Sequence, residues 1–224
     1  MTGAAGDPTH VKKRLFLAVN LGVGVTRKIA DAVGKMRATA ERLGVRVGWV
    51  PPANLHVTLK FLGWSSPDVV DVIRDRVLAI AAGTRGFELV ARGAGGFPGD
   101  GHARILWIGL VDASGILAPL AERIDREMTA LGYAAEGRPF HPHVTVGRVK
   151  EGHGTEEILA PWQRTDFGSS AVRDIVLYES FTKSTGSEYM AQFRVALSRP
   201  ERQTRDVEGV KESEEPDGNG QHQP

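Results

Sequence analysis

The 224-residue chain has no cysteine. That absence excludes disulfides, thiolate metal sites, iron–sulfur clusters and cysteine nucleophiles, and nothing calls for an oxidising compartment. Long apolar runs are missing too. None approaches the roughly 20 residues that span a bilayer, and Met1-Thr2-Gly3-Ala4-Ala5-Gly6-Asp7-Pro8 lacks the basic-then-apolar order of a signal peptide. A cytoplasmic protein with no membrane partner is the expectation. Charge of one sign is scarce: the net charge is +1. Residues 199–224 carry four Lys/Arg against seven Asp/Glu, a local balance of −3 that leaves +4 on the 198 residues before them. Such a body suits a phosphate-bearing substrate but lacks the dense positive field that holds long nucleic acid by charge alone. Recognition of an end or of a small molecule is favoured. What is present, 41% hydrophobic and 25% charged residues, is enough for a core.

Three segments follow from composition. Residues 1–11 are Gly-rich and polar and read as a loose N-terminus. Residues 199–224 hold two isolated valines among Glu, Ser, Pro, Gly and Asn and read as a disordered acidic tail, unable to bury enough surface to offset chain entropy. The body, 12–198, reads as a single bilobal domain, expected to be monomeric. It opens with a buried strand at Arg14–Asn20, then a helix on which Val25, Ile29, Ala32, Val33, Met36 and Ala40 recur at three- and four-residue intervals, stopping near Leu43-Gly44. Strands at 45–50 and 55–62 flank the stiff turn Pro51-Pro52-Ala53-Asn54. Ser66-Pro67 predicts an N-cap and first helical residue for a helix carrying Val69, Val72, Ile73, Val77 and Ile80. Strands at 86–92 and 104–110 enclose a Gly-rich loop, a helix runs from Ser114 to Leu131, and strands at 142–149, 171–181 and 189–197 close the body. Each half has a helix, a Pro-containing turn and a strand bearing His-x-Thr, so the pattern suggests an internal repeat.

Those two motifs, His56-Val57-Thr58 and His143-Val144-Thr145, carry the chemistry. Alternation in a strand places His56 and Thr58 on one face with Val57, Leu59 and Phe61 on the other, and His143 and Thr145 opposite Val144 and Val146. If the strands face each other across a cleft, two imidazoles and two hydroxyls converge on one small volume. Opening a cyclic phosphate with water needs a base for the nucleophile and an acid for the leaving oxygen, and imidazole, with a reference pKa of about 6.5, serves either role at neutral pH. A cation would steady the transition state. Arg148 is the nearest candidate, although regular alternation puts it on the wrong face; Gly147 before it could host a bulge that re-aims it.

Pro51-Pro52-Ala53-Asn54-Leu55-His56-Val57-Thr58-Leu59-Lys60-Phe61-Leu62-Gly63 and Arg138-Pro139-Phe140-His141-Pro142-His143-Val144-Thr145-Val146-Gly147-Arg148 resemble the two signatures of the 2H phosphoesterase superfamily. The nearest branch is its bacterial and archaeal RNA 2′,3′-cyclic phosphodiesterases, historically called 2′-5′ RNA ligases. The likeness extends to Phe16, Gly96-Phe97-Pro98, Tyr178-Glu179-Ser180, Gly186 and Tyr189, and covers the body but neither tail. It implies an α+β fold: a two-lobed, pseudo-twofold arrangement of mainly antiparallel sheets with helices outside and a central cleft. It implies hydrolysis of RNA 2′,3′-cyclic phosphate ends to 2′-phosphomonoesters with no cofactor and no metal. By matching positions, His56 would be the proton donor and His143 the proton acceptor, with Thr58, Thr145 and Arg148 holding the phosphate. The symmetry of the two motifs does not by itself assign acid and base. Two positions depart from the family pattern, Gly48 before Trp49 and His141 in place of an arginine, and both bear on substrate-end contacts.

Other readings stand beside this one. His141 and His143 could form a metal pair, but no clustered carboxylates complete a coordination set. Lys60 could touch phosphate from the His56 face, or be a solvated or snorkelling lysine. Trp49 and Phe97 could stack a base or simply edge the core. His102 and His153 read as solvated loop histidines, and Gly93–Gly101 lacks the ending of a phosphate loop. Alternative functions are reversible 2′-5′ ligation, a phosphodiesterase for a small cyclic nucleotide, and a noncatalytic RNA- or nucleotide-binding module.

Overall fold

In the computed structural model, which describes residues 11–99, 102–183 and 186–199, the apolar run that opens the body is strand β1, Lys13–Val19. The expected loose N-terminus and acidic tail lie outside the described residues, apart from Val11 and Arg199. Helix α1, Val23–Arg42, buries the six residues that its spacing singled out. It stops at Gly44, whose φ of +68° suits a residue without a Cβ. Strand β2, Arg46–Trp49, leads through one 3₁₀ turn at Pro52–Asn54, preset by proline, into β3, Val57–Ser65. Helix α2, Val69–Ala82, then strands β4, Phe87–Phe97, and β5, Ile105–Val111, precede helix α3, Leu117–Ala130. Strand β6, His143–Glu151, short helix α4, Thr155–Leu159, and strands β7, Asp166–Val172, β8, Asp174–Lys183, and β9, Gly186–Ala196, complete the order.

The strands form two antiparallel sheets, β3-β1-β8-β9 and β2-β6-β5-β4-β7. Helices α2 and α3 cover the first sheet; α1 and α4 cover the second. The lobes are therefore interwoven, since α1 follows a strand of the first sheet yet packs on the second. On β1, Leu15, Leu17 and Val19 point to the helices and Arg14, Phe16 and Ala18 point away. Leu17, Ile29, Met36, Ile108 and Ile124 are fully buried in one connected apolar cluster. Each contributes about 1.5–3 kcal/mol of transfer energy. The face of each sheet away from its helices is left for the site, and the two sheets meet where β3 lies against β6.

Four local expectations need correction. The Gly-rich segment is largely strand: β4 runs on to Phe97, and its glycines let the side chains of Trp107 on β5 and of Ala103 just before it lie against its backbone. A Cβ at Gly95 would fall 2.3 Å from the Trp107 ring, and one at Gly96 would fall 2.3 Å from Ala103 Cβ. The strand expected over 171–181 is two strands, because the chain leaves one sheet and enters the other at Arg173. Helix α2 begins at Val69, after a turn in which Ser66 O accepts from Val69 N, rather than at Pro67. Helix α3 begins at Leu117 rather than at Ser114, and the Leu117 N–H, one of the free donors of its first turn, donates to the Asp112 carboxylate at 2.7 Å. Helix α4, of five residues, is too short to show a period and was not foreseen.

Candidate active site

His56 stands immediately before β3 and His143 opens β6, at the seam between the sheets. Each imidazole is held in the same way. His56 Nδ1 lies 2.7 Å from Asn54 O, and His143 Nδ1 lies 2.7 Å from His141 O, the carbonyl two residues upstream in both cases. A carbonyl only accepts, so Nδ1 carries the proton in both rings and Nε2 is left to work toward the open face. Thr58 Oγ1 is 2.9 Å from His56 Nε2; its hydroxyl donates to the neutral ring and accepts from the charged one. Thr145 occupies the matching position on β6, on the His143 face.

Burial pushes both imidazoles below the usual histidine pKa, and the backbone hydrogen bond of each only partly offsets it. The charges of His143 and Arg148 lower His56 further, and those of His141 and Arg148 lower His143. The two histidines and the arginine thus share one electrostatic site, positive when protonated, and among the described residues no carboxylate is one of the charges that shift either ring. Burial raises the Tyr189 phenol, against the opposing charges of Arg148 and Arg14.

Arg148 reaches this face through an irregular ladder. Leu106 pairs with Gly147 but Trp107 pairs with Thr145, so Val146 is an extra residue and Val146 and Gly147 both turn inward. Arg148 therefore joins His143 and Thr145. Gly147 is needed for close approach, because a Cβ there would lie 2.8 Å from Val47 Cγ1 and 3.1 Å from Trp49 Cε3. Trp49 accordingly edges the core behind Gly147.

Strand β3 departs from alternation twice. Ala18 pairs with Thr58 and Leu17 with Lys60, leaving Leu59 extra; Phe16 pairs with Phe61 and Leu15 with Gly63, leaving Leu62 extra. Gly63, at φ +71°, hosts the second irregularity. Thr58, Phe61 and Trp64 consequently share the open face at a spacing of three, while Leu59, Lys60 and Leu62 are buried. This overturns two expectations. Phe61 does not back the strand, being 56% exposed, and Lys60 is neither solvated nor beside His56. Its Nζ lies 2.5 Å from Asp125 Oδ1 and 2.5 Å from Ala134 O, under the sheet.

Aromatic rings surround both histidines, a feature that no single motif announces. Phe16, 2% exposed, lies 4.9 Å from the His56 ring, with Tyr189 edge-on to His56 at 5.3 Å. Tyr178 stacks on Phe16 and pairs with the Asn20 amide. Around His143, Phe97 lies edge-on at 5.4 Å and His141 tilts at 6.0 Å. Phe97 therefore belongs to this face, as does Trp107, cross-strand from Thr145. The Trp107 indole N–H is buried with no hydrogen-bond partner among the described residues. Alternation on β1 and β5 could have placed Phe16 and Trp107, but only once the partner strands were known. His102 and His153 pack edge to face at 5.6 Å. Among the described residues no three His, Asp or Glu side chains gather as a metal-binding cluster, and no helix is long and apolar enough to cross a membrane.

Residues 26–180 match the model of the 2′-5′ RNA ligase superfamily. A protein of Methanothermobacter thermautotrophicus named RNA 2′,3′-cyclic phosphodiesterase is 33% identical over 190 residues, covering 83% of this chain and all of that protein. The crystal structure of Escherichia coli LigT complexed with 3′-AMP superposes with a TM-score of 0.69 at 27% identity, covering 84% of this chain and 99% of the other. The Thermus thermophilus structure TT0787 gives 0.69 at 28% identity, over 82% and 97%.

Proposed function

The chain belongs to the 2′-5′ RNA ligase superfamily, and from that premise we propose that it hydrolyses RNA 2′,3′-cyclic phosphate ends to 2′-phosphomonoesters by acid–base catalysis between His56 and His143, without a metal. The observation that carries the reading is the matched pair of carbonyl clamps, which turn two imidazole Nε2 atoms toward one face that also holds Arg148. The relatives named RNA 2′,3′-cyclic phosphodiesterase support the substrate.

In the proposed reaction the cyclic phosphodiester, a monoanion, sits between the histidines. Neutral His143 Nε2 removes a proton from water as its oxygen bonds to phosphorus. His56, protonated when the phosphate arrives, gives its Nε2 proton to the departing 3′ oxygen. The bond from phosphorus to O3′ breaks, and the phosphate remains on O2′. An anion beside both rings offsets the burial that otherwise holds them neutral. Arg148 and the hydroxyls of Thr58 and Thr145 face the nonbridging oxygens, where charge grows in the transition state. The clamps do their part earlier, by fixing tautomer and ring plane so that no reorganisation is needed at the moment of proton transfer.

The test is incubation of the full chain, in EDTA, with an oligoribonucleotide ending in a 2′,3′-cyclic phosphate, followed by identification of the product phosphate. A 2′-phosphate is expected. His56→Ala and His143→Ala should each lower kcat by about 10²–10⁴ while circular dichroism is unchanged. Turnover only with added metal, or near-normal activity in either variant, would overturn the mechanism.

A further inference from the structure

Two bulges give β3 an open face with a spacing of three, and that spacing leads away from the histidines in steps. The first rung is Ala18 opposite Thr58, the second Phe16 opposite Phe61, and the third Arg14 opposite Trp64. Four residues of β1 separate the first rung from the third, about 13 Å along the strand. Trp64 is 68% exposed, the most exposed tryptophan surface on this face, and Phe61 beside it is 56% exposed. These are large aromatic surfaces that a sheet would ordinarily turn inward. Arg14 is exposed across from Trp64, and its charge acts on Tyr189, so it belongs to the same face as the His56 surround. The three rungs carry an arginine and no carboxylate.

We propose that Trp64 and Arg14 form a subsite for the nucleotide on the 5′ side of the terminal one, with the base stacked on the indole and its phosphate beside the guanidinium. The preferred substrate is then an RNA chain rather than a mononucleoside cyclic phosphate. This rests on the phosphodiesterase reading above and commits the exposed strip to one occupant. Two features favour that occupant. The strip is continuous, on one strand face, with the residues that receive the phosphate, and its charge complements a phosphodiester backbone. An indole accepts any base, because every base has a π face, so the subsite adds affinity for chain length without demanding sequence. Arginine supplies the electrostatic contact and can stack as well.

The experiment compares kcat/KM for cytidine 2′,3′-cyclic phosphate with that for a trinucleotide ending in the same group, in the native chain, Trp64→Ala and Arg14→Gln. The native chain should prefer the trinucleotide. Trp64→Ala should lower the trinucleotide-to-mononucleotide ratio about 5- to 100-fold, mainly through KM. Arg14→Gln should lower it as well and reduce the salt dependence of trinucleotide binding by about one counterion. A native ratio near one, or a ratio unmoved by both substitutions, overturns the subsite while leaving the phosphodiesterase reading intact. No turnover of either substrate removes both. Sedimentation of the same proteins supplies the other outcome: if Trp64→Ala dissociates a native dimer and leaves the ratio unchanged, the strip is covered by a second copy of the chain and the RNA subsite is refuted.

Discussion

Replacing Lys60 with methionine tests the register of β3 more directly than any change at the surface. The Lys60 side chain is 1% exposed, and its ammonium reaches Asp125 Oδ1 and Ala134 O at 2.5 Å each and Glu136 Oε1 at 3.7 Å. It pins the strand that carries Thr58 to α3 and to the connection that leads on to His143. Methionine keeps the length of the stem and fills the same space, so little packing is lost. What is lost is the partner of a carbonyl and of a carboxylate. Removing one member of a buried pair costs about 3–5 kcal/mol when the survivor stays dry. Asp125 is 23% exposed and keeps the Glu136 N–H at 3.1 Å, so part of its charge returns to solvent. The expected loss is therefore about 2–3 kcal/mol. Urea denaturation reads it as a fall in midpoint at unchanged slope. Asp125→Asn added to Lys60→Met should recover part of the loss, since the stranded charge is then gone.

Acid supplies the second arm of that experiment. Burial pushes the Asp125 carboxyl up, but the Lys60 hydrogen bond, the Glu136 N–H and the charges of Lys60 and Arg126 outweigh it and hold it low. A carboxyl whose folded pKa is depressed contributes stability above its unfolded value, about 3.9, and loses it as the pH falls through the folded one. The gap between native and Lys60→Met proteins should thus narrow below about pH 4. A change under about 0.5 kcal/mol at neutral pH, of the size typical for surface substitutions, would mean that Lys60 is solvated and the β3 register is wrong.

Further outcomes follow from the same geometry. Because both histidines are held below about 6.5, kcat/KM should fall as pH rises from 6.5 toward 8, as the singly protonated pair is lost; a profile flat across that range would exclude the pair as acid and base. The same shifts make the folded state bind fewer protons, so stability should decline as pH falls below about 6.5, measurable as a drop in Tm. Arg148→Ala should lower kcat by about 10²–10³ and move the pH profile toward alkaline, since a positive charge beside both rings is gone; an unmoved profile would place the guanidinium elsewhere. Gly147→Ala should cost about 1–3 kcal/mol in chemical denaturation, as its Cβ must displace Val47 or Trp49; a neutral effect would show that the β6 bulge yields easily.

Much of the molecule follows from local pattern. The period of α1 named its six buried residues, the twin prolines preset the turn before His56, and paired His-x-Thr segments with proline-bearing approaches pointed to one site and one family. These features depend on the chemistry of neighbouring residues, which a single chain displays without its fold. The bulges are another matter. Whether Leu59, Leu62 or Val146 is an extra residue is a property of two strands, because a ladder slips only against a partner. Gly147 hinted at one such slip; Gly63, which hosts another, drew no such reading. Neither says on which side the following residue emerges. So the pairing of the two histidines was legible in the sequence, whereas the direction of everything after them on each strand was settled by pairing between strands: Arg148 out to the face that holds them, Lys60 in to Asp125, and Phe61 and Trp64 out along the open face. Alternation is a rule for one strand, and the tertiary structure decides where it breaks.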